Sequence, residues 1–149
     1  MIVYEEEKNG FLISTDKSKL DLPLIHHYLS TESYWAQHIS FDIVQRSIDN
    51  SFCFGIYKEH KQIGFARLIT DYASFAYLAD VFILTEHRGK GLSKWLMAFM
   101  LANPEMQGLR RWLLTTKDAH GLYAQFGFIV HDKPERVMYV NNDYKKKDL

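Results

Sequence analysis

Cys53 is the only cysteine of the sequence, so no internal disulfide framework can hold this chain together. It stands in Phe52-Cys53-Phe54 and reads as a small core residue, not as a reactive thiol. Net charge is also missing, because 18 basic side chains balance 18 acidic ones. Wholesale electrostatic capture of nucleic acid is therefore not expected. No apolar run approaches the ~20 residues of a membrane helix, so no membrane partner is expected either. Residues 1–7 lack the basic start and apolar centre of a secretion signal. No His, Cys, Asp and Glu cluster has metal-ligand spacing, and adjacent His26 and His27 do not make one. Repeats, low-complexity tracts and linkers are absent. Together these absences lead to the expectation of a cytoplasmic protein without a metal.

What the chain does have is apolar mass. Hydrophobic residues make up 47% and aromatics 15% of its 149 residues, enough for one domain (1–149) with a sizeable core. The order of elements follows from periodicity and punctuation. A first strand reads over 10–14. A helix follows over 21–29, with Asp21 as cap, Pro23 in its first turn, and Leu22, Ile25 and Leu29 on one face. A second helix reads over 40–50, capped by Ser40. Strands read over 52–57, 62–70 and 75–85, the first two joined by a polar link short enough for a hairpin. A helix then starts at Leu92 and ends near Asn103-Pro104. A strand over 111–116 comes next, and then a short helix over 119–126, capped by Asp118 and stopped by Gly127. Closing strands read over 128–130 and 137–140, before a charged tail over 144–149 that reads as frayed. The sum is an α/β (α+β) domain, with helices flanking a single mixed central sheet.

One junction in this order carries chemistry. The β-branched and aromatic run Val81-Phe82-Ile83-Leu84 favours a strand. Arg88-Gly89-Lys90-Gly91-Leu92-Ser93 follows, and then Leu92, Leu96, Phe99 and Met100 recur at helical spacing. A strand, a glycine turn and a helix start leave free N–H groups at the positive end of a helix dipole, which suits an anion. Glycine lets the backbone bend sharply and lets a phosphate approach. Arg88, Lys90 and Lys94 add positive charge. Neither a Walker loop nor a dinucleotide fingerprint fits the spacing. A glycine turn with no ligand is the plainer alternative.

The remaining pattern, Arg-x-x-Gly-x-Ser at Arg88, Gly91 and Ser93, resembles the pyrophosphate loop of the GCN5-related N-acetyltransferases, with Ser93 at the usual Gly/Ala position. A second stretch, Leu122-Tyr123 followed by Gly127-Phe128, resembles another signature of that family, with Thr116 where asparagine is usual. The two stand in the right order, roughly thirty residues apart, and the order of elements matches along nearly the whole chain. The resemblance implies the acyl-CoA N-acyltransferase fold, acetyl-CoA as acetyl donor and a small-molecule amine as acceptor. It implies that Arg88, Gly89, Lys90, Gly91, Leu92, Ser93 and Thr116 meet the coenzyme. It also implies that Val81, Phe82 and Ile83 carry its pantetheine arm along their backbone.

In the same resemblance Tyr123 is the general acid for the departing thiolate. A phenol near pKa ~10 can protonate a thiolate whose conjugate acid lies near ~8.5. The plainer alternative makes Tyr123 a core aromatic. A protonated amine acceptor needs a base, and Asp80 interrupts the apolar strand just before this segment. A carboxylate there is either satisfied structurally or functional. Asp71 and Glu86 are more exposed alternatives. His27, Tyr34, Trp35 and Tyr72 are the candidates for the acceptor pocket. A coenzyme-A-binding sensor without turnover is the alternative activity. An apolar edge strand could pair two subunits.

Overall fold

The computed structural model describes residues 2–146; residues 147–149 of the charged tail lie outside the described residues. Its centre is one six-stranded sheet in the order β1-β2-β3-β4-β5-β6. The strands are β1 (Glu5–Lys8), β2 (Phe11–Ser14), β3 (Phe52–Lys58), β4 (Lys61–Thr70), β5 (Phe75–Ile83) and β6 (Arg111–Leu114). The first five pair antiparallel and β6 joins β5 in parallel, so the sheet is mixed, as the sequence suggests. Both faces of the sheet are covered. Phe54, Ile56, Leu68 and Leu78 lie in one core with α3 (Leu92–Ala102) and α4 (His120–Ala124). Cys53, Phe65 and Phe82 lie in a second core with α1 (Leu22–His27) and α2 (Phe41–Asp49). Burial on both faces explains why β3 and β4 read as nearly unbroken apolar runs instead of alternating ones.

The caps are where local sequence chemistry puts them, with one exception. Asp21 Oδ1 accepts from Leu24 N–H at 3.0 Å, and Ser40 Oγ from Ile43 N–H at 3.3 Å. Asp118 does not cap α4. The helix starts at His120 with Ala119 as its N-cap and no side-chain cap, and Thr116 Oγ1 accepts from Ala119 N–H at 3.0 Å in the turn before it. The first helix also departs from expectation. After His27 it widens into a π-turn over Tyr28–Glu32, a feature that propensity does not announce. The loop behind it is tied by Ser33, whose Oγ donates to Leu29 C=O and accepts from Ala36 N–H.

Two further differences concern the sheet. β1 is a strand that apolar patterning misses, because all four of its residues are charged and exposed. Its register is fixed by backbone pairing to β2 and by Trp95 Nε1–H donating to Glu6 at 2.9 Å. In contrast, the closing strands read over 128–130 and 137–140 do not form. Their β-favouring residues join no strand, and among the described residues β6 pairs only with β5.

Candidate active site

The site lies where β5 and β6 part. Their pairing runs only from Phe75↔Arg111 to Leu78↔Leu114. β5 continues to Ile83, so residues 79–83 leave one edge of the strand without a partner. At about 3.3 Å per residue that edge is roughly 16 Å long. Its other edge stays on β4, through Phe65↔Phe82 and Gly64↔Ile83.

The register slips by one between Arg67↔Ala79 and Phe65↔Phe82, so β5 carries a bulge there. Asp80 occupies it in the left-handed region, at φ +57°. Aspartate tolerates that region better than most residues. The twist turns its carboxylate off the strand and into a network. Asp80 Oδ2 accepts from Arg67 Nε–H at 2.9 Å, and Oδ1 from Trp35 Nε1–H at 2.9 Å. The pair is largely dry, with side chains 14% (Arg67) and 9% (Asp80) exposed. Arg67 goes on to Ser51 Oγ at 3.0 Å. Each carboxylate oxygen therefore has one protein donor, and lone pairs remain for an outside group. The lone charge inside the apolar run of β4 was the available sign of Arg67, and sequence reasoning passed over it.

Past Ile83 the chain makes one turn and reaches the glycine loop. Gly89 and Gly91 both have positive φ, +80° and +76°, which an L side chain rarely adopts. A Cβ built on either glycine meets nothing within 4 Å, so the space in front of the loop is open. Gly91 is the N-cap of α3 and offers no side chain to cap it. The first bond within the helix runs from Trp95 N–H to Gly91 C=O at 3.1 Å. The amides of Leu92, Ser93 and Lys94 thus have no partner inside the helix. Lys90 and Lys94 are exposed beside them.

Arg88 has a more specific place than added charge. Its Nε–H donates to Ile83 C=O at 2.9 Å, and a terminal N–H donates to Tyr28 Oη at 3.0 Å. Two of its five donors thus fasten the loop to the end of β5 and to the π-turn. The Tyr28 ring lies flat on Phe82, with centroids 4.0 Å apart. The π-turn therefore has a structural consequence: it lays Tyr28 between the strand and the loop.

α4 stands beside β6, and its Tyr123 lines one trough with Trp112 and Leu114 of that strand. Tyr123 is 8% exposed and its ring meets Phe128 edge-on. Gly127, at φ +90°, turns Phe128 back so that its N–H bonds to the Tyr123 carbonyl at 3.3 Å. Among the described residues the Tyr123 hydroxyl has no hydrogen-bond partner. Burial pushes its pKa above the ordinary phenol value, and Tyr34 and Asp118 nearby push the same way. Thr116 holds the turn into α4, as above, and its hydroxyl proton is left to donate elsewhere.

Not every sequence candidate converges here. Tyr34 and Trp35 do: their rings meet edge-on at 5.0 Å, and Tyr34 Oη accepts from Lys117 N–H at 2.8 Å, next to Thr116. His27 ends α1, exposed, and its carbonyl accepts from Thr31 Oγ1 at 2.6 Å. Tyr72 is apart from this group. It sits in the β4–β5 turn at φ +60°, against Phe52 in the α3-side core. Asp71 folds that turn by accepting from the N–H groups of Ala73, Ser74 and Phe75 and from Ser74 Oγ–H. Those bonds hold its carboxyl below the usual carboxylate range. Glu86 is exposed in the turn before the glycine loop. Cys53 is buried, and burial pushes its thiol up to about 12. Among the described residues no three His, Cys, Asp or Glu side chains gather as a metal site, and no helix is long and apolar enough to cross a membrane.

Comparison with known proteins agrees with this architecture. Residues 22–128 match the model of the acetyltransferase (GNAT) family. A Gibberella zeae protein assigned as an acetyltransferase is 32% identical over 140 residues, covering 79% of this chain and 78% of its own. A crystal structure from Xanthomonas campestris, assigned to the GNAT family, is 49% identical and superposes with a TM-score of 0.89, covering 93% of this chain and 97% of that one. A Clostridium acetobutylicum acetyltransferase crystallised with acetyl-CoA shares the fold at 12% identity, with a TM-score of 0.64 over 94% of this chain and 96% of its own. The chain belongs to the GNAT family of acetyltransferases.

Proposed function

We propose that the protein transfers an acetyl group from acetyl-CoA to the primary amine of a small-molecule or amino-acid-like acceptor. One observation carries the reading: the unpaired edge of β5 leads through the glycine loop into an uncapped helix mouth. An amide-bearing chain ending in a diphosphate has use for both features in that order. The open space before Gly91 fits a phosphate, and a branched side chain would fill it. The Clostridium relative, which holds acetyl-CoA, supports the choice of donor.

In this reading the amides of Leu92 and Ser93, with Lys90 and Lys94 beside them, hold the diphosphate. The backbone of Val81 and Ile83 carries the pantetheine amides, and Arg88 keeps strand end and loop in register. Bound acetyl-CoA supplies a thioester: the amine nitrogen bonds to its carbonyl carbon, and the C–S bond then breaks. An N–H on the free edge of β5 faces the carbonyl oxygen as charge develops there. Tyr123 gives its phenolic proton to the leaving sulfur, and the proton that the nitrogen sheds as the amide forms returns to the phenolate through water. Its raised pKa keeps that proton in place at neutral pH. Asp80 receives the proton of the incoming ammonium through its unused lone pairs, directly or across one water, while Trp35 and Arg67 fix its orientation. Tyr34 and Trp35 form the aromatic wall of the acceptor space, and a cationic amine suits such a wall.

The test is thiol release from acetyl-CoA across a panel of primary amines, with acetylated product identified by mass. Amine-dependent release supports the reading. Tight coenzyme A binding with no release for any amine would make the protein a sensor of the cofactor instead.

A further inference from the structure

Resting on the acetyl transfer proposed above, we infer that the acceptor is an amino acid. Its amine goes to Asp80, and its carboxylate goes to a subsite made by Lys117, Tyr34 and the hydroxyl pair of Tyr77 and Thr115. The two ends of the acceptor space have opposite needs. At Asp80, lone pairs are left over once Arg67 Nε–H and Trp35 Nε1–H have bonded, so that end takes donors. At the Tyr34 end the position is reversed, and donors are left without acceptors.

Lys117 is the charged member of that end. It lies exposed in the turn between β6 and α4, and among the described residues no carboxylate pairs with it. Tyr34 holds it twice. The Lys117 N–H donates to Tyr34 Oη at 2.8 Å, and its Nζ stands 5.5 Å from the centre of the Tyr34 ring. The ammonium is thus kept at the aromatic wall and not in open water. A cation–ring contact is weaker than a charge-assisted bond to a carboxylate, so an arriving anion draws Nζ to itself while the turn stays in place.

Two hydroxyl protons complete the subsite. Tyr34 Oη accepts from Lys117 N–H, and its own proton has no acceptor among the described residues. Tyr77 Oη and Thr115 Oγ1 share one hydrogen bond of 2.8 Å where β5 and β6 part, two residues before Lys117. One of their two protons makes that bond and the other is left over. The neighbouring charges are otherwise engaged. Arg67 is bonded to Asp80 and Ser51, and Asp71 to its own turn. Asp118 acts on Tyr123, whose pKa it raises, and makes no pair with Lys117.

One short strap presents both ends to the same small molecule. Trp35 holds Asp80, Tyr34 holds Lys117, and the two rings meet at 5.0 Å. A plain amine satisfies only the Asp80 end. A zwitterion satisfies both, with charges opposite in sign to those that receive them.

The experiment measures thiol release from acetyl-CoA with matched acceptors that differ only by the carboxylate: β-alanine against ethylamine, and phenylalanine against phenethylamine. For the better amino acid, kcat/KM should exceed that of its decarboxylated counterpart at least about 10-fold. Lys117→Met should remove this preference by raising KM for the amino acid, and Lys117→Arg should keep it. Lys117 is exposed, so both variants should melt with the wild type by circular dichroism. Equal kcat/KM within each pair for the wild-type protein overturns the inference. So does a preference that survives Lys117→Met. Release with no amine at all brings down the acetyl transfer itself and the inference with it, a result distinct from release without preference.

Discussion

Replacing Tyr123 by phenylalanine separates chemistry from stability more cleanly here than in most enzymes. The hydroxyl has no hydrogen-bond partner among the described residues, so its removal orphans nothing. Tyr123 is 8% exposed and its ring stays packed on Phe128. The expected change in folding free energy is therefore within about 0.5 kcal/mol. A positioned general acid contributes about 100- to 10,000-fold in rate, or roughly 3–5 kcal/mol of barrier. Thus Tyr123→Phe should melt with the wild type, bind coenzyme A with the wild type, and lose at least about 100-fold in kcat. The pH profile adds an independent readout. An acid must hold its proton to act, and Tyr123 is shifted upward from the ordinary phenol value near ~10. Wild-type kcat should rise through neutral pH as the acceptor amine deprotonates, and fall only above pH ~10. The variant should lack that fall. Thiol release is the assay, and the buried Cys53 does not contaminate it on the time of a native-state measurement. A variant with wild-type kcat and profile would refute the acid role and leave Tyr123 a core aromatic.

Other outcomes follow from the same geometry. Gly91→Val should weaken coenzyme A binding at least about 100-fold by calorimetry, because its side chain would occupy open space where the anion is proposed and because φ +76° strains it by about 1–2 kcal/mol. Arg67→Met should destabilise the fold by about 3 kcal/mol in urea, because it strands a largely dry Asp80 carboxylate. Adding Asp80→Asn should recover part of that loss. Cys53 should resist thiol reagents in the native state, since burial holds its pKa near about 12. In the unfolded chain the thiol ionises near ~8.5, so stability present below that pH should decline as pH rises toward 12. Cys53→Ala should flatten this part of the curve.

The site and the fold were unequally legible in the sequence. The glycine turn was readable because positive φ at Gly91 demands a residue type, and that demand is visible in one letter. The strands β3, β4 and β5 were readable because sustained apolar runs need a buried sheet. β1 was not, because four exposed charged residues owe their place to a neighbour's backbone and not to their own side chains. The bulge at Asp80 was half legible. A carboxylate among apolar residues announced a paired group, but its partners Arg67 and Trp35 lie 13 and 45 positions away, and no local pattern links them. The tail shows the opposite failure. The runs at 128–130 and 137–140 have strand chemistry, yet a strand also needs an edge to pair with, and pairing is not a property of the segment alone.

The most direct measurement is a crystal structure of the protein grown with coenzyme A. The diphosphate should rest on the amides of Leu92 and Ser93, with the sulfur within hydrogen-bonding reach of the Tyr123 hydroxyl. Density for the coenzyme on another surface, with the mouth of α3 empty, would contradict the account.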